Sequence, residues 1–125
     1  MRPRIRAGAA TSARDYLRAL AERERLKAEF AAAMEGVDAV LTPTAATVAI
    51  RLAEVDQATT PALLTRWVNL LDLCALAVPN GFTAGGLPTS LQVVCRGWDE
   101  ATALRVGWAH QDATGWHERV PPMAG

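Results

Sequence analysis

A chain of 125 residues has room for one domain or a piece of a larger one, and with half of its residues apolar it can build a core. Thirteen basic residues balance thirteen acidic ones, so no global field draws the chain to nucleic acid or anionic lipid, and neither is expected as a partner. No apolar run is long enough to cross a bilayer.

Arg2, Arg4 and Arg6 make a short basic run that mimics the start of a targeting peptide, but no apolar stretch follows it. Residues from about Ala13 to Glu35 read as one long amphipathic helix. Tyr16, Leu20, Leu26, Phe30, Ala31 and Met34 share a broad face. Arg14, Arg18, Glu22, Arg25 and Glu29 lie opposite, with Arg18–Glu22 and Arg25–Glu29 as i,i+4 pairs. Ser12 and Asp15 have capping-box spacing, and Gly36 is a natural stop. Asp38 to Thr42 suits a buried strand ending at Pro43. Thr44 to Thr59 reads as loop.

Thr60-Pro61 is a good helix start. Ala62 to Leu73 is apolar almost all round, which predicts a helix buried on most sides, with Arg66, Asn69 and Asp72 needing partners. Ala75 to Val78 reads as a second strand, closed by Pro79. Asn80 to Gly86 is a glycine-rich connection. Thr89 to Cys95 alternates as a third strand, with Leu91, Val93 and Cys95 on one face and Gln92 on the other. The connection is too short for a parallel crossover, so these two strands should be adjacent and antiparallel. A buried Gln92 amide would need partners. Asp99 caps a final helix, about Glu100 to Thr114, with Ala101, Leu104 and Trp108 as its expected buried stripe. Three strands with flanking helices are a fragment of an α/β sheet, and its two open edges point to a larger parent sheet.

Cys74 and Cys95 are too few and too far apart for a metal site or CxxC motif, and both sit in apolar runs. They read as core thiols of a reducing, cytoplasmic compartment. A catalytic cysteine needs an electropositive, accessible setting, which neither has. His110 and His117 are separated by Gly115, which should end the helix between them, so no metal or cofactor is expected. Gly81, Gly85 and Gly86 match neither a P-loop nor a dinucleotide fingerprint.

Several short motifs in order carry a resemblance. They are Arg4-Ile5-Arg6-Ala7-Gly8, then Tyr16, Arg25 and Phe30 on the long helix, then Asp38-Ala39-Val40-Leu41-Thr42-Pro43-Thr44. Asn69, Pro79, Gly81-Phe82, Gly86-Leu87-Pro88, Leu91-Gln92 and Asp99-Glu100-Ala101-Thr102 follow. Together they are similar to the C-terminal part of amidase-signature enzymes. The family often has glycine where Asp72 stands, proline where Cys74 stands and glycine where Ser90 stands. Cys95 and Gly97 replace the glycine and proline of a Gly-Arg-Pro turn.

The resemblance implies an α/β fold: the C-terminal fragment of the amidase-signature mixed sheet with flanking helices, residues 1–125 being a partial domain. It implies amide hydrolysis as the parent chemistry, through a Ser–cis-Ser–Lys triad. This chain holds only Ser12, Ser90 and Lys27 of those types, with no two serines adjacent. No catalytic residue is therefore assigned, and the catalytic N-terminal part is expected elsewhere. The resemblance puts Thr59, Ala62 and Arg66 on the substrate-pocket wall, with the Arg4 region and the end of the Asp38–Thr42 strand nearby. Ala62 offers no carboxylate to a substrate ammonium. Arg66 either meets an electron-rich or anionic group or pairs with Asp72 or solvent. Two readings of the whole follow. One is the C-terminal segment of an amide hydrolase, inactive alone: a truncated reading frame, or half of a split enzyme partnered by a separate N-terminal amidase half or self-associating. The other is a non-catalytic interaction module that binds a partner through an open sheet edge.

Overall fold

The computed structural model describes residues 6, 8–56 and 61–121. It divides into two compact units, Met1–Glu35 and Gly36–Gly125. The first is dominated by one helix, α1 (Ala13–Ala33). Ser12 caps it: the Asp15 amide donates to Ser12 Oγ at 3.1 Å, and that hydroxyl donates to Asp15 Oδ2 at 2.6 Å. Gly36, at φ +74°, follows the end of the helix, where a left-handed residue is needed. Arg25 takes both Glu29 and Glu22, the latter through Nε at 2.9 Å, so Glu22 pairs with Arg25 rather than with Arg18. The hydrogen bond from Arg25 holds the Glu22 carboxyl below its ordinary range. Tyr16, Leu17 and Leu20 are exposed, so the expected apolar face is not covered over its first half. A single helix has no second layer of its own to bury a face against.

The second unit is built on a three-stranded sheet of β1 (Val40–Pro43), β2 (Cys74–Phe82) and β3 (Pro88–Cys95), in the order β1-β3-β2 and antiparallel throughout. β2 and β3 are adjacent and antiparallel, as the short connection requires. Thr83 closes the hairpin: its amide donates to the Leu87 carbonyl at 2.9 Å, and Gly86 bends back at φ +80°. β2 does not stop at Pro79. It runs on to Phe82 through a bulge between Pro79 and Gly81. β2 lies at the sheet edge, where a missing N–H need not break the ladder.

Between β1 and β2 the expected single helix is broken. A 3-10 turn, Pro61–Leu64, precedes a short helix, α2 (Arg66–Leu70), with Thr65 between them at φ −112°. Thr60, the expected cap, lies outside the described residues. Only Val68 of α2 is buried, and Leu63 and Leu70 are exposed, so this segment is not buried on most sides. Its apolar residues are spread over a break, and no single cylinder forms to be enclosed.

The last helix, α3 (Glu100–Thr114), starts at Asp99, whose carboxylate accepts from the Thr102 amide at 3.3 Å, and ends at Gly115, φ +62°. It packs on the sheet through Ala103, Gly107 and Val106, not through Ala101, Leu104 and Trp108, all of which are exposed. Close approach decides this. A Cβ on Gly107 would lie 2.3 Å from Leu76 Cδ2 and 3.4 Å from Val78 Cγ1. The small residues therefore face the strands and the bulky ones face out.

A second tight approach joins the end of α2 to the start of α3. The Leu73 amide donates to the Val68 carbonyl at 3.0 Å and the Asp72 amide to the Asn69 carbonyl at 3.5 Å, the pattern of a Schellman cap. Asp72 occupies its left-handed position at φ +55°, where glycine is favoured. Its carbonyl oxygen would lie 2.3 Å from a Cβ at Gly97. In urea denaturation, Gly97→Ala should lose about 1–3 kcal/mol, the usual cost of overpacking. Asp72→Gly should gain about 0.5–1 kcal/mol by relieving the left-handed backbone. Equal stability of Gly97→Ala and the parent chain would show that the two loops do not meet.

Candidate functional site

Four consecutive β3 residues, Gln92 to Cys95, are buried, so both faces of this strand are covered at this end. Val93 and Cys95 lie with Ala103 in one apolar cluster, joined by Ala39, Cys74, Leu76 and Val106. The Gln92 face is different. Gln92 is 3% exposed and is a polar side chain in an apolar interior. Its Nε2 donates to Thr42 Oγ1 and to the Leu64 carbonyl, each at 3.1 Å. Two positions along, the Ser90 and Thr44 hydroxyls meet at 2.7 Å, and the Thr44 amide donates to the Ser90 carbonyl at 2.9 Å. Thr42, Thr44, Ser90 and Gln92 thus form a polar strip at the exit of β1. Ser90 uses its side chain there.

The Leu64 carbonyl also accepts from Trp67 Nε1 at 2.8 Å. This anchors the turn that carries Ala62. Ala62 is half-buried, and its carbonyl accepts from the Thr65 amide at 3.2 Å and from Thr65 Oγ1 at 3.3 Å. Arg66 begins α2 and is exposed, and no ion pair joins it to Asp72 among the described residues. Thr59 and Arg4 lie outside the described residues. Two of the three expected wall residues, Ala62 and Arg66, thus stand on either side of Leu64, the residue whose carbonyl meets Gln92. In the sequence, the strip itself shows only as period-2 hydroxyls around Pro43 and before Leu91.

Apart from Ser90 in the strip, the nucleophile types are held elsewhere. Ser12 caps α1, and Lys27 Nζ lies 3.4 Å from Glu24 on the same helix. Cys74 Sγ donates to the Arg96 carbonyl at 3.2 Å. Burial pushes the Cys95 thiol above its ordinary range, the opposite of activation. His110 Nε2 contacts the Pro79 carbonyl at 3.1 Å. Pro79 is five residues along β2 from Cys74, roughly 16 Å at strand spacing, so no Cys–His couple forms there.

One open depression of about 440 Å³ is lined by Asn69, Asp72, Leu73, Cys74, Trp98 and Glu100. Another, of about 200 Å³, lies among Trp108, Gln111, Asp112, Gly115, His117 and Glu118. Ala62 and Arg66 line neither. Among the described residues, no group of three or more His, Cys, Asp or Glu side chains could hold a metal ion. No helix among them is long and apolar enough to cross a membrane.

The family model described as Amidase matches residues 1–104. The chain belongs to the amidase family. The glutamyl-tRNA(Gln) amidotransferase A subunit of Methylacidiphilum infernorum (isolate V4) is 38% identical over 114 residues, which cover 88% of this chain and 23% of that protein. A crystal structure of an amidase superposes with a TM-score of 0.75 at 32% identity, covering 86% of this chain and 26% of that one. The corresponding amidotransferase chain from Thermotoga maritima superposes with a TM-score of 0.69 at 28% identity, covering 90% and 26%. The chain thus spans about a quarter of the length of these amidase-family proteins, and the α/β fold is theirs.

The environments of the two thiols give a direct test. Half-buried Cys74 should react with a disulfide-exchange reagent in the folded chain, and Cys95 only when the chain unfolds. Because folding raises the Cys95 pKa, its stabilising contribution is complete below the ordinary thiol value of about 8.5. It declines as pH rises from there, because the unfolded thiol ionises while the folded one keeps its proton. Unfolding free energy measured between about pH 8 and 10 should fall less steeply in Cys95→Ala. An unchanged slope would contradict the assignment.

Proposed function

We propose that this chain is the C-terminal segment of an amidase-family amide hydrolase, completing the sheet and one wall of the substrate pocket. The nucleophile and lysine of the reaction come from polypeptide outside these 125 residues. The observation that carries this reading is the family match over residues 1–104 in a chain spanning about a quarter of its relatives' length. The residue inventory supports it. Acyl transfer by the family's chemistry needs two serines and a lysine in one desolvated relay. Ser12, Ser90 and Lys27 are engaged in a cap, a hydroxyl pair and a helix-surface contact.

In the assembled site, Ala62 and Arg66 face substrate from the turn beside the polar strip. Ala62 gives a small, uncharged surface that offers no carboxylate to a substrate ammonium. Arg66 supplies five N–H donors to a carboxylate or carbonyl oxygen. The part it completes is the N-terminal amidase part, which carries the nucleophile. Two reduced thiols at facing strand positions fit the cytoplasm as its compartment.

A second reading has a specific observation behind it. Leu104 and Trp108 are exposed on the outer side of α3, and β1 and β2 each have an outer edge unpaired among the described residues. A non-catalytic module that self-associates or binds a partner would use these surfaces.

Steady-state assays separate the two. The purified chain should show no turnover of small aryl or alkyl amides above background. Joined to the upstream three quarters of a related amidase, it should support turnover, and Arg66→Ala should raise KM several-fold, as expected for loss of one charge-assisted hydrogen bond. Turnover by the chain alone, abolished by changing one of its own residues, would overturn the reading.

A further inference from the structure

We propose that Gln92 is the positioning residue of the substrate wall: its amide sets where the turn carrying Ala62 and Arg66 stands against the sheet. The proposal rests on the wall reading above and adds the residue that holds the wall in place.

The Leu64 carbonyl can only accept, so the atom of Gln92 that faces it is the amide nitrogen. A carbonyl has two lone pairs, and both on Leu64 are used: Gln92 Nε2 at 3.1 Å and Trp67 Nε1 at 2.8 Å. The two donors differ in origin. Trp67 is three residues away and travels with the turn, whereas Gln92 is on β3, 28 residues distant. Gln92 therefore ties the turn to the sheet. Its second donor hydrogen goes to Thr42 Oγ1 at 3.1 Å, on the neighbouring strand. Thr42 and Gln92 are also register partners, so the side-chain bond repeats a constraint the backbone ladder already supplies. The bond to Leu64 instead joins β3 to a residue outside the strand ladder.

The chain geometry at this point needs such a link. The helix is interrupted here: Ala62 departs from helical angles (φ −78°, ψ 17°) and Thr65 breaks the run. A continuous helix would place Ala62 and Arg66 by its own ladder. Two short pieces do not, so their placement depends on what they are fastened to. Gln92 is buried, and a buried amide left without partners is costly, which makes the fastened arrangement strongly preferred over a displaced turn.

Amide exchange by NMR on the whole chain tests this, comparing the parent with Gln92→Met and Thr42→Val. Gln92→Met keeps length and volume and removes both donors. It should speed exchange of the Thr65 amide about tenfold more than that of Val93, which reports global unfolding. It should also move the Trp67 indole N–H resonance. Thr42→Val removes only the redundant bond and should leave Thr65, relative to Val93, within about threefold of the parent. Equal acceleration of Thr65 and Val93 in Gln92→Met, or no acceleration of either, would overturn the positioning role.

In the chain joined to the upstream part of a related amidase, Gln92→Met should raise KM about tenfold and leave kcat within about threefold, because a binding wall has moved and no reacting group has. Reduced kcat at unchanged KM would overturn the link to substrate. If the joined protein is inactive with Gln92 in place, the proposed function is what fails. The Thr65 exchange result then decides the role of Gln92 by itself.

Discussion

Gln92, Val93, Val94 and Cys95 are buried one after another along β3, so water is excluded from both faces of the central strand at once. Strands buried on one face alternate; this one does not, because α3 covers the Val93 and Cys95 face and the Leu64 turn meets the Gln92 face. The rest of the 36–125 unit follows from that constraint. The face holding Val93 and Cys95 must be dry, and α3 reaches it closely only by presenting Ala103 and Gly107. Large residues on that side would hold the helix off and leave a gap, which is costly in a packed interior. The opposite face carries a buried amide, and that amide must be satisfied.

The two faces consequently do different work. One is an apolar seam between sheet and helix. The other is a polar strip where Thr42, Thr44, Ser90 and Gln92 bond across β1 and β3 and fasten the Leu64 turn. In the proposed enzyme the second face is turned toward substrate. Its side chains are mutually bonded, so it positions groups and does not itself react. This agrees with a chain whose thiols are buried or tied to backbone and whose single lysine lies on α1 beside Glu24.

Local chemistry is readable in the sequence wherever a residue acts within a few positions of itself. Ser12 and Asp99 cap helices, Gly36 and Gly115 end them, and the short glycine-rich connection forces an antiparallel hairpin. Features set by distant contacts are not. Pro79 reads as a strand end because edge position is invisible in sequence. The 62–73 stretch reads as one buried helix because its apolar count hides the break at Thr65. Large residues suggest the buried stripe of α3, whereas the packing seam follows its small ones. Ala62 and Arg66 are legible as candidates by family resemblance, while the Gln92 bond that fixes their turn spans 28 residues and has no local signature.

The Asp72–Gly97 contact shows the same division. The two residues lie far apart in sequence, and the structure places them against one another. A left-handed aspartate closes the cap on α2, and a glycine beneath its carbonyl makes room.

The dependence of the unit on β3 is tested most directly by ranking its native-state amide exchange rates. Val93 and Val94 should be the slowest-exchanging amides of residues 36–125, slower than those of β1 and of α2, because opening them requires both covering layers to leave. If β3 amides exchanged as fast as those of β1 or the Leu64 turn, the strand would not be the element on which the others are built.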